Sequence, residues 1–279
     1  KTPWPKHVPV SPIVPAARVE GLRITMVGHA SVLIQTGGLN ILTDPVWSNR
    51  ASPIAFAGPR RVTAPGIAMD DLPPIDAILL SHNHYDHLDI ATLRALHARH
   101  DPRIITPLGN DSIIHRHIPN ARVETGDWFD RFEIAEGAQA HIVPALHWSS
   151  RGPRDRRMAL WGGFMVRAGG RLVYFAGDTG YGTGAIFRDL RARFGPVDLA
   201  IGERAFLAAR HHHLRALFGE QAGDGLAHVA LRRRAQNDGG LALELSHQMS
   251  PLSGAGVTRP APSPPFPKVG IVAWRPRGR

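Results

Sequence analysis

Three histidines and one aspartate fall within six positions of the stretch SHNHYDH: His82, His84, Asp86 and His87. The chain has no cysteine, so any metal is held by nitrogen and oxygen donors alone. Imidazole and carboxylate suit zinc, and also iron or manganese. His82 and His84 are two apart and share one side of an extended segment, whereas Asp86 and His87 follow where the chain turns toward a helix. A single tetrahedral ion needs about four donors, and six or more suit two ions about 3.5–4 Å apart. Such a pair shares a water, lowers its pKa and presents hydroxide to a phosphorus or carbonyl centre. His147 and Asp178 are the candidates for the missing donors. A turn or capping role competes for Asp178, which sits in GDTG. His29, His97, His100, His115, His117 and His141 read as ordinary surface or core groups.

Strand ends must carry these residues. IDAILL, residues 75–80, is a short continuous apolar run, as in a strand buried on both faces. Asp89 is placed to cap the next helix, in which Ile90, Leu93 and Leu96 fall at helical spacing. AHIVPALHW reads as a strand ending at His147, and RLVYFAGDTGYG as another ending in a Gly/Asp turn. ILLSH, IVPALH and VYFAGD thus each put a candidate donor at the carboxyl end of a strand, where open α/β sheets gather ligands. Residues 22–27, 31–35 and 39–43 alternate as antiparallel strands, with TGG as a turn. RIITPLG and VDLAI are further strands, and AIFRDLRARFG is an amphipathic helix closed by Gly195. The alternation implies a layered α/β domain with a mixed sheet or sheets.

At 279 residues and 43% hydrophobic, the chain can bury a sizeable core. Residues 1–17 hold five prolines and read as an extended arm; residues 18–202 read as one unit. No apolar run approaches the ~20 residues that span a bilayer and no signal peptide is visible, so the cytoplasm is the expected location. The net charge of +10 suits nucleic acid, an anionic membrane or a phosphorylated substrate. Residues 203–279 carry eleven Lys and Arg against five Asp and Glu, so most of the excess lies there. The excess lies in this atypical segment and not beside the histidine cluster, which argues against nucleic acid.

The residues also carry a resemblance. SHNHYDH matches the H-x-H-x-D-H signature of the metallo-β-lactamase fold superfamily. GLRITMVGHASVLIQ, LTDPVWSNRASPIAFAGPRR, LPPIDAILLSHNHYDHLD, LHW, LWGGFMV, FAGDTGY and RFGPVDLA follow in order. Together they resemble N-acylphosphatidylethanolamine-hydrolysing phospholipase D and its bacterial relatives over residues 18–200. The resemblance implies an αββα sandwich with two zinc ions at the sheet edges. It implies that His82, His84 and His147 bind one zinc, Asp86 and His87 the second, and Asp178 both. It implies hydrolysis of a phospholipid phosphodiester by a bridging hydroxide positioned through Asp86 and Asp178, releasing an N-acylethanolamine and phosphatidic acid. A phospholipid is then the partner, and the loops WPKHVPV and PVWSNRASPIAFAG could touch a membrane peripherally. A lactonase or sugar-phosphate hydrolase on the same fold shares the ligand set, because loops build the substrate pocket.

The family's further histidine, which completes the second zinc after one more strand, has no matching block here. His247 in GGLALELSHQM is the best stand-in, and His228 a weaker one. Without such a donor, a catalytically impaired member with one zinc is the expectation. Residues 203–279 are rich in Arg, Ala, Gly, His and Pro, with little pattern to bury. This atypical basic tail is the composition expected of a shifted reading frame in a GC-rich gene. Resequencing is expected to show an insertion or deletion near codon 201, and an uninterrupted frame there refutes the reading.

Overall fold

The computed structural model describes residues 10–54, 56–203, 242–245 and 269–273. Alternation in residues 22–43 folds as three antiparallel strands, β1 (Leu22–Gly28), β2 (Ser31–Thr36) and β3 (Leu39–Thr43). The apolar run before the histidine cluster becomes β4 (Ala77–Leu79), parallel to β3 and buried at every residue. Asp89 caps α1 (Ile90–His100), its carboxylate accepting from the amides of Ala91 and Thr92. Then come β5 (Arg103–Pro107), α2 (Asp111–His117) and β6 (Val123–Gly126), with β5 parallel to both β4 and β6.

The second sheet is built from a meander of β7 (Arg131–Ala135), β8 (Ala138–Val143), β9 (Gly163–Ala168) and β10 (Arg171–Phe175). After it, α3 (Ala185–Phe194), closed by Gly195, leads to β11 (Leu199–Glu203), parallel to β10. Two short strands lie beyond Glu203: β12 (Ala242–Leu245) pairs with β1, and β13 (Val269–Ala273) with β11, both antiparallel. The sheets run β12-β1-β2-β3-β4-β5-β6 and β13-β11-β10-β9-β8-β7.

Three apolar clusters define the layers. Ile24, Ile34, Ile41 and Leu79 of the first sheet pack against Ile142, Phe164, Val166 and Phe175 of the second. On the outer face of the first sheet, Leu33, Leu42, Ile78 and Ile104 meet Leu93 and Leu96 of α1 and Ile114 of α2. On the outer face of the second, Met165, Leu172 and Tyr174 meet Phe187 and Leu190 of α3. The order helix, sheet, sheet, helix is the αββα sandwich. Among the described residues no helix is long and apolar enough to cross a membrane.

One expected strand is shorter than its sequence suggested. AHIVPALHW leaves the sheet after Val143, since Pro144 has no amide to donate to a ladder. His147 therefore stands on a loop. That loop is tied down by the Leu146 amide donating to Thr179 Oγ1 (2.9 Å) and the Gly180 amide donating to the Leu146 carbonyl (3.0 Å). Residues 10–17 have no helix or strand. The Ile13 amide donates to the Gly66 carbonyl, and the Ala16 carbonyl accepts from Gln35 Nε2.

Pairing fixes where loops emerge. β1, β3 and β4 run in one direction, as do β8 and β10, so their carboxyl ends open on common edges. At the opposite ends the two sheets touch through glycine. Gly37 and Gly169 both have left-handed φ, +54° and +55°, and a Cβ on Gly169 would lie 2.8 Å from the Gly37 nitrogen. Gly170 also has positive φ, +70°, but nothing lies within 4 Å of its Cβ position. Both alanine substitutions incur the left-handed penalty of about 1–2 kcal/mol. Gly169→Ala must also push the sheets apart, so thermal denaturation is expected to show a larger loss of Tm for it than for Gly170→Ala.

Candidate metal centre

Five segments meet at the open edge, each just after a strand's carboxyl end. They are His29 after β1, Asp44 after β3, residues 81–87 after β4, His147 after β8 and Asp178 after β10. His82, His84 and His147 form the first group. His84 Nδ1 lies 2.9 Å from His82 Nε2 and 3.2 Å from His147 Nε2. Tetrahedral bonds of about 2.0–2.1 Å from a metal to nitrogen would separate donors by roughly 3.3 Å, so this spacing suits a shared cation. Burial lowers the pKa of all three, with neighbouring imidazoles adding to the effect at His82; His147 falls to about 4. At neutral pH the trio presents uncharged imidazoles, the metal-binding form.

Asp86 and His87 belong to a second group, which His29 joins: one donor atom from each lies within 4.8 Å of the others. His29 Nε2 is 3.0 Å from Asp86 Oδ2. Asp178 lies between the groups, its Oδ2 3.2 Å from His87 Nε2 and 3.8 Å from His147 Nε2. The electrostatics here are opposite to those of the trio. Burial pushes Asp86 and Asp178 up, but His29 and His87 outweigh it, and both carboxylates are held below their usual range. Burial opposes charge on His87, yet Asp178 and Asp44 outweigh it and raise its pKa well above the ordinary value. A second group that holds a proton so firmly is one in which a cation can take the proton's place. His87 Nε2 and Asp178 Oδ1 are buried without a hydrogen-bond partner, as donors to a metal would be. The chemistry and placement of the set fit two divalent ions.

Asp44 supports both groups. It is fully buried, and Oδ1 accepts from the Ser81 amide (2.6 Å) while Oδ2 accepts from Ser81 Oγ (2.6 Å) and His87 Nδ1 (2.7 Å). Ser81 Oγ has one proton, and Asp44 takes it. Oγ therefore accepts from His82 Nδ1 at 2.8 Å. Both His82 and His87 are thus held with Nδ1 protonated and Nε2 turned to the centre.

Arg151 clamps the turn from the other side. Its Nη1 donates to the carbonyls of Asn83 (3.0 Å) and Leu88 (2.8 Å), and its guanidinium lies 3.9 Å from the Tyr85 ring centroid. Tyr85 Oη returns a bond to the Arg151 carbonyl at 3.0 Å. Trp148 meets the His84 ring edge-on at 4.5 Å, with the Arg156 guanidinium 4.7 Å from its own ring.

The structure thus brings together His82, His84, Asp86, His87, His147 and Asp178. His247 and His228 lie outside the described residues, as do WPKHVP of the expected membrane loop and most of residues 203–279. His97, beside Asp101, and His141, against the Phe194 ring, stand elsewhere. His29 and Asp44 join the centre although the residue types alone did not single them out. Both follow the carboxyl end of a strand, the rule that had picked out the other donors.

The Beta-lactamase superfamily domain family matches residues 39–235, well over half of the chain. An uncharacterised protein of Mycobacterium tuberculosis is 35% identical over 192 residues, covering 68% of this chain and 50% of that protein. N-acyl-phosphatidylethanolamine-hydrolyzing phospholipase D 1 of Caenorhabditis elegans is 35% identical over 189 residues, covering 64% and 52%. The chain spans about half the length of these curated relatives. Among solved structures, CmlA, a diiron β-hydroxylase from Streptomyces venezuelae, superposes with a TM-score of 0.50 at 26% identity, covering 72% of this chain and 38% of that one.

Asp44 and Asp86 should separate by variant. Asp44→Ala strands three buried donors, a loss of about 3–5 kcal/mol expected for breaking a buried charged pair. Asp86 is 38% exposed on its side chain, so Asp86→Ala is expected to denature close to wild type in urea when both are metal-free.

Proposed function

The chain belongs to the beta-lactamase superfamily, and on that premise we propose that it is a metal-dependent phosphodiesterase of phospholipase D type, acting on N-acylphosphatidylethanolamine. One observation carries the reading: six nitrogen and oxygen donors from three strand ends converge in two groups, with Asp178 Oδ2 between them. In this reading His82, His84 and His147 would hold one zinc and Asp86 and His87 a second, with Asp178 placed to serve either.

When bound, two such ions lower the pKa of a water and draw off charge that grows on the phosphoryl oxygens. The residues do the rest. Ser81 and Asp44 keep the Nδ1 protons of His82 and His87 turned away, so that both Nε2 lone pairs stay available. Asp86 and Asp178, ionised by their neighbours, are the acceptors that orient the attacking water. Arg151 fixes the turn that carries Asp86 and His87. The water oxygen adds to phosphorus and gives up a proton, the bond from phosphorus to the ethanolamine oxygen breaks, and that oxygen takes up a proton, so that one water is consumed and no net charge is created. The products are an N-acylethanolamine and phosphatidic acid.

A lipid substrate is favoured by the name of the nematode relative and by apolar side chains at the surface. Leu146, next to His147, is half exposed; Ile54 and Phe56, in the long loop after β3, are 46% and 84% exposed. Such side chains suit peripheral contact with a membrane. A second reading has its own observation. The diiron neighbour shares the fold, and the same donors suit iron. Elemental analysis of the isolated protein decides between the metals.

Hydrolysis of N-acylphosphatidylethanolamine is expected to require metal and to be lost on chelation. His84→Ala is expected to abolish it, by about 100-fold or more, with an unchanged circular dichroism spectrum. Turnover retained in His84→Ala with metal still bound would refute the ligand assignment. Loss of the signal with a lactone or sugar phosphate hydrolysed instead would redirect the substrate.

A further inference from the structure

We infer that His29 supplies the third protein donor of the half-site formed by Asp86 and His87. The inference rests on the dinuclear reading above and assigns the position that the resemblance left without a residue.

Geometry comes first. His29 Nε2 is 3.0 Å from Asp86 Oδ2, and its ring meets the His87 ring edge-on, centroids 5.0 Å apart. Single donor atoms of His29, Asp86 and His87 all lie within 4.8 Å of one another. His29 Nε2 is buried, and its contact with Asp86 lacks the angles of a hydrogen bond. An imidazole that served only to pair with Asp86 would align its N–H with the carboxylate. A nitrogen close to a carboxylate yet misaligned with it is what two ligands of one ion look like. With Asp178, His29 would bring the half-site to four donors, the number a tetrahedral ion needs.

The backbone gives independent support. His29 has φ +51°, in the left-handed region that non-glycine residues rarely occupy. Its turn joins β1 to β2 between Gly28 and Ala30, where glycine or asparagine would fit more cheaply. Histidine enters that conformation more readily than most non-glycine residues, yet still at a cost relative to glycine. Strain of this kind collects where a side chain is needed at a site. The turn sets the imidazole across the sheet edge against Asp86 and the His87 ring.

The same strain supplies a clean test, because the replacements that remove the donor also relieve the backbone. Metal content is measured by elemental analysis after dialysis, and affinity by titration of the apoprotein with Co²⁺, read by its visible absorption. Wild type is expected to bind two equivalents. His29→Asn and His29→Gly are expected to keep the equivalent held by His82, His84 and His147, and to weaken the second by more than about 100-fold, beyond what an outer-shell change produces. Metal-free His29→Gly is expected to melt at or above the wild-type temperature. Two equivalents at wild-type affinity in both variants would overturn the inference. So would loss of the second equivalent in His247→Asn with full retention in His29→Asn, which would return the position to His247. Fewer than two equivalents in wild type would instead sink the dinuclear reading itself, and the inference with it.

Discussion

The buried carboxylate of Asp44 is the interaction on which the centre depends. Burying a charge is costly unless every oxygen is satisfied, and here three donors satisfy two oxygens within 2.7 Å. Those bonds do more than offset the burial. They hold the start of the histidine segment against the end of β3, and through Ser81 Oγ and His87 Nδ1 they orient one imidazole in each half of the centre. Protons on a histidine are usually free to choose a nitrogen. At His82 and His87 that freedom is removed by one acidic side chain, directly at His87 and through Ser81 at His82.

Close approach of the two sheets at the same edge is the second requirement, and glycine meets it. Gly177 precedes Asp178 with φ +55°, and a Cβ there would lie 2.9 Å from the Ser81 Cβ. Any larger residue would hold the end of β10 away from Ser81, and Asp178 could not reach between His87 and His147. Asp44, at φ +33°, and His29, at φ +51°, are non-glycine residues in the same unfavourable region and at the same edge. Two of the five described non-glycine residues with positive φ thus stand where the sheets deliver their side chains, the others being Asp101 at the end of α1, Phe129 and Arg157.

Periodicity explains why the strands were legible. β1 to β3 alternate or run apolar between clear turns, and α1 opens on a capping aspartate with Leu93 and Leu96 on its inner face. The histidine segment was legible because three imidazoles and a carboxylate in six positions serve no core. α2 and β6 were not, since each is short and draws its shape from packing on the first sheet. The end of β8 was misplaced because the apolar pattern continues through Ala145 and Leu146, while Pro144 ends the ladder. Asp44 and His29 are single residues in turns, so nothing in their immediate surroundings marks them. Their role exists only after pairing puts β1, β3, β4, β8 and β10 in register. A local pattern can name the donors that cluster in sequence, and topology alone gathers those that do not.

The charges of the two halves then bear on what the centre would hold. Burial keeps the His82, His84 and His147 imidazoles neutral, so an ion there keeps its full charge. Asp86 and Asp178 are ionised, and Asp44 completes an anionic wall behind His87. Two divalent cations would offset those three carboxylates and the hydroxide the ions share, whereas the carboxylates alone leave the opening between the sheets negative. A phosphodiester carries a negative charge that such an uncompensated wall would repel, so its approach depends on both ions more than that of a neutral ester or amide does. The balance fails as soon as one ion is missing, because a single cation cannot offset the carboxylates around it. Access for an anionic substrate and occupancy of the Asp86–His87 half are therefore one question, and the residue that completes that half decides both.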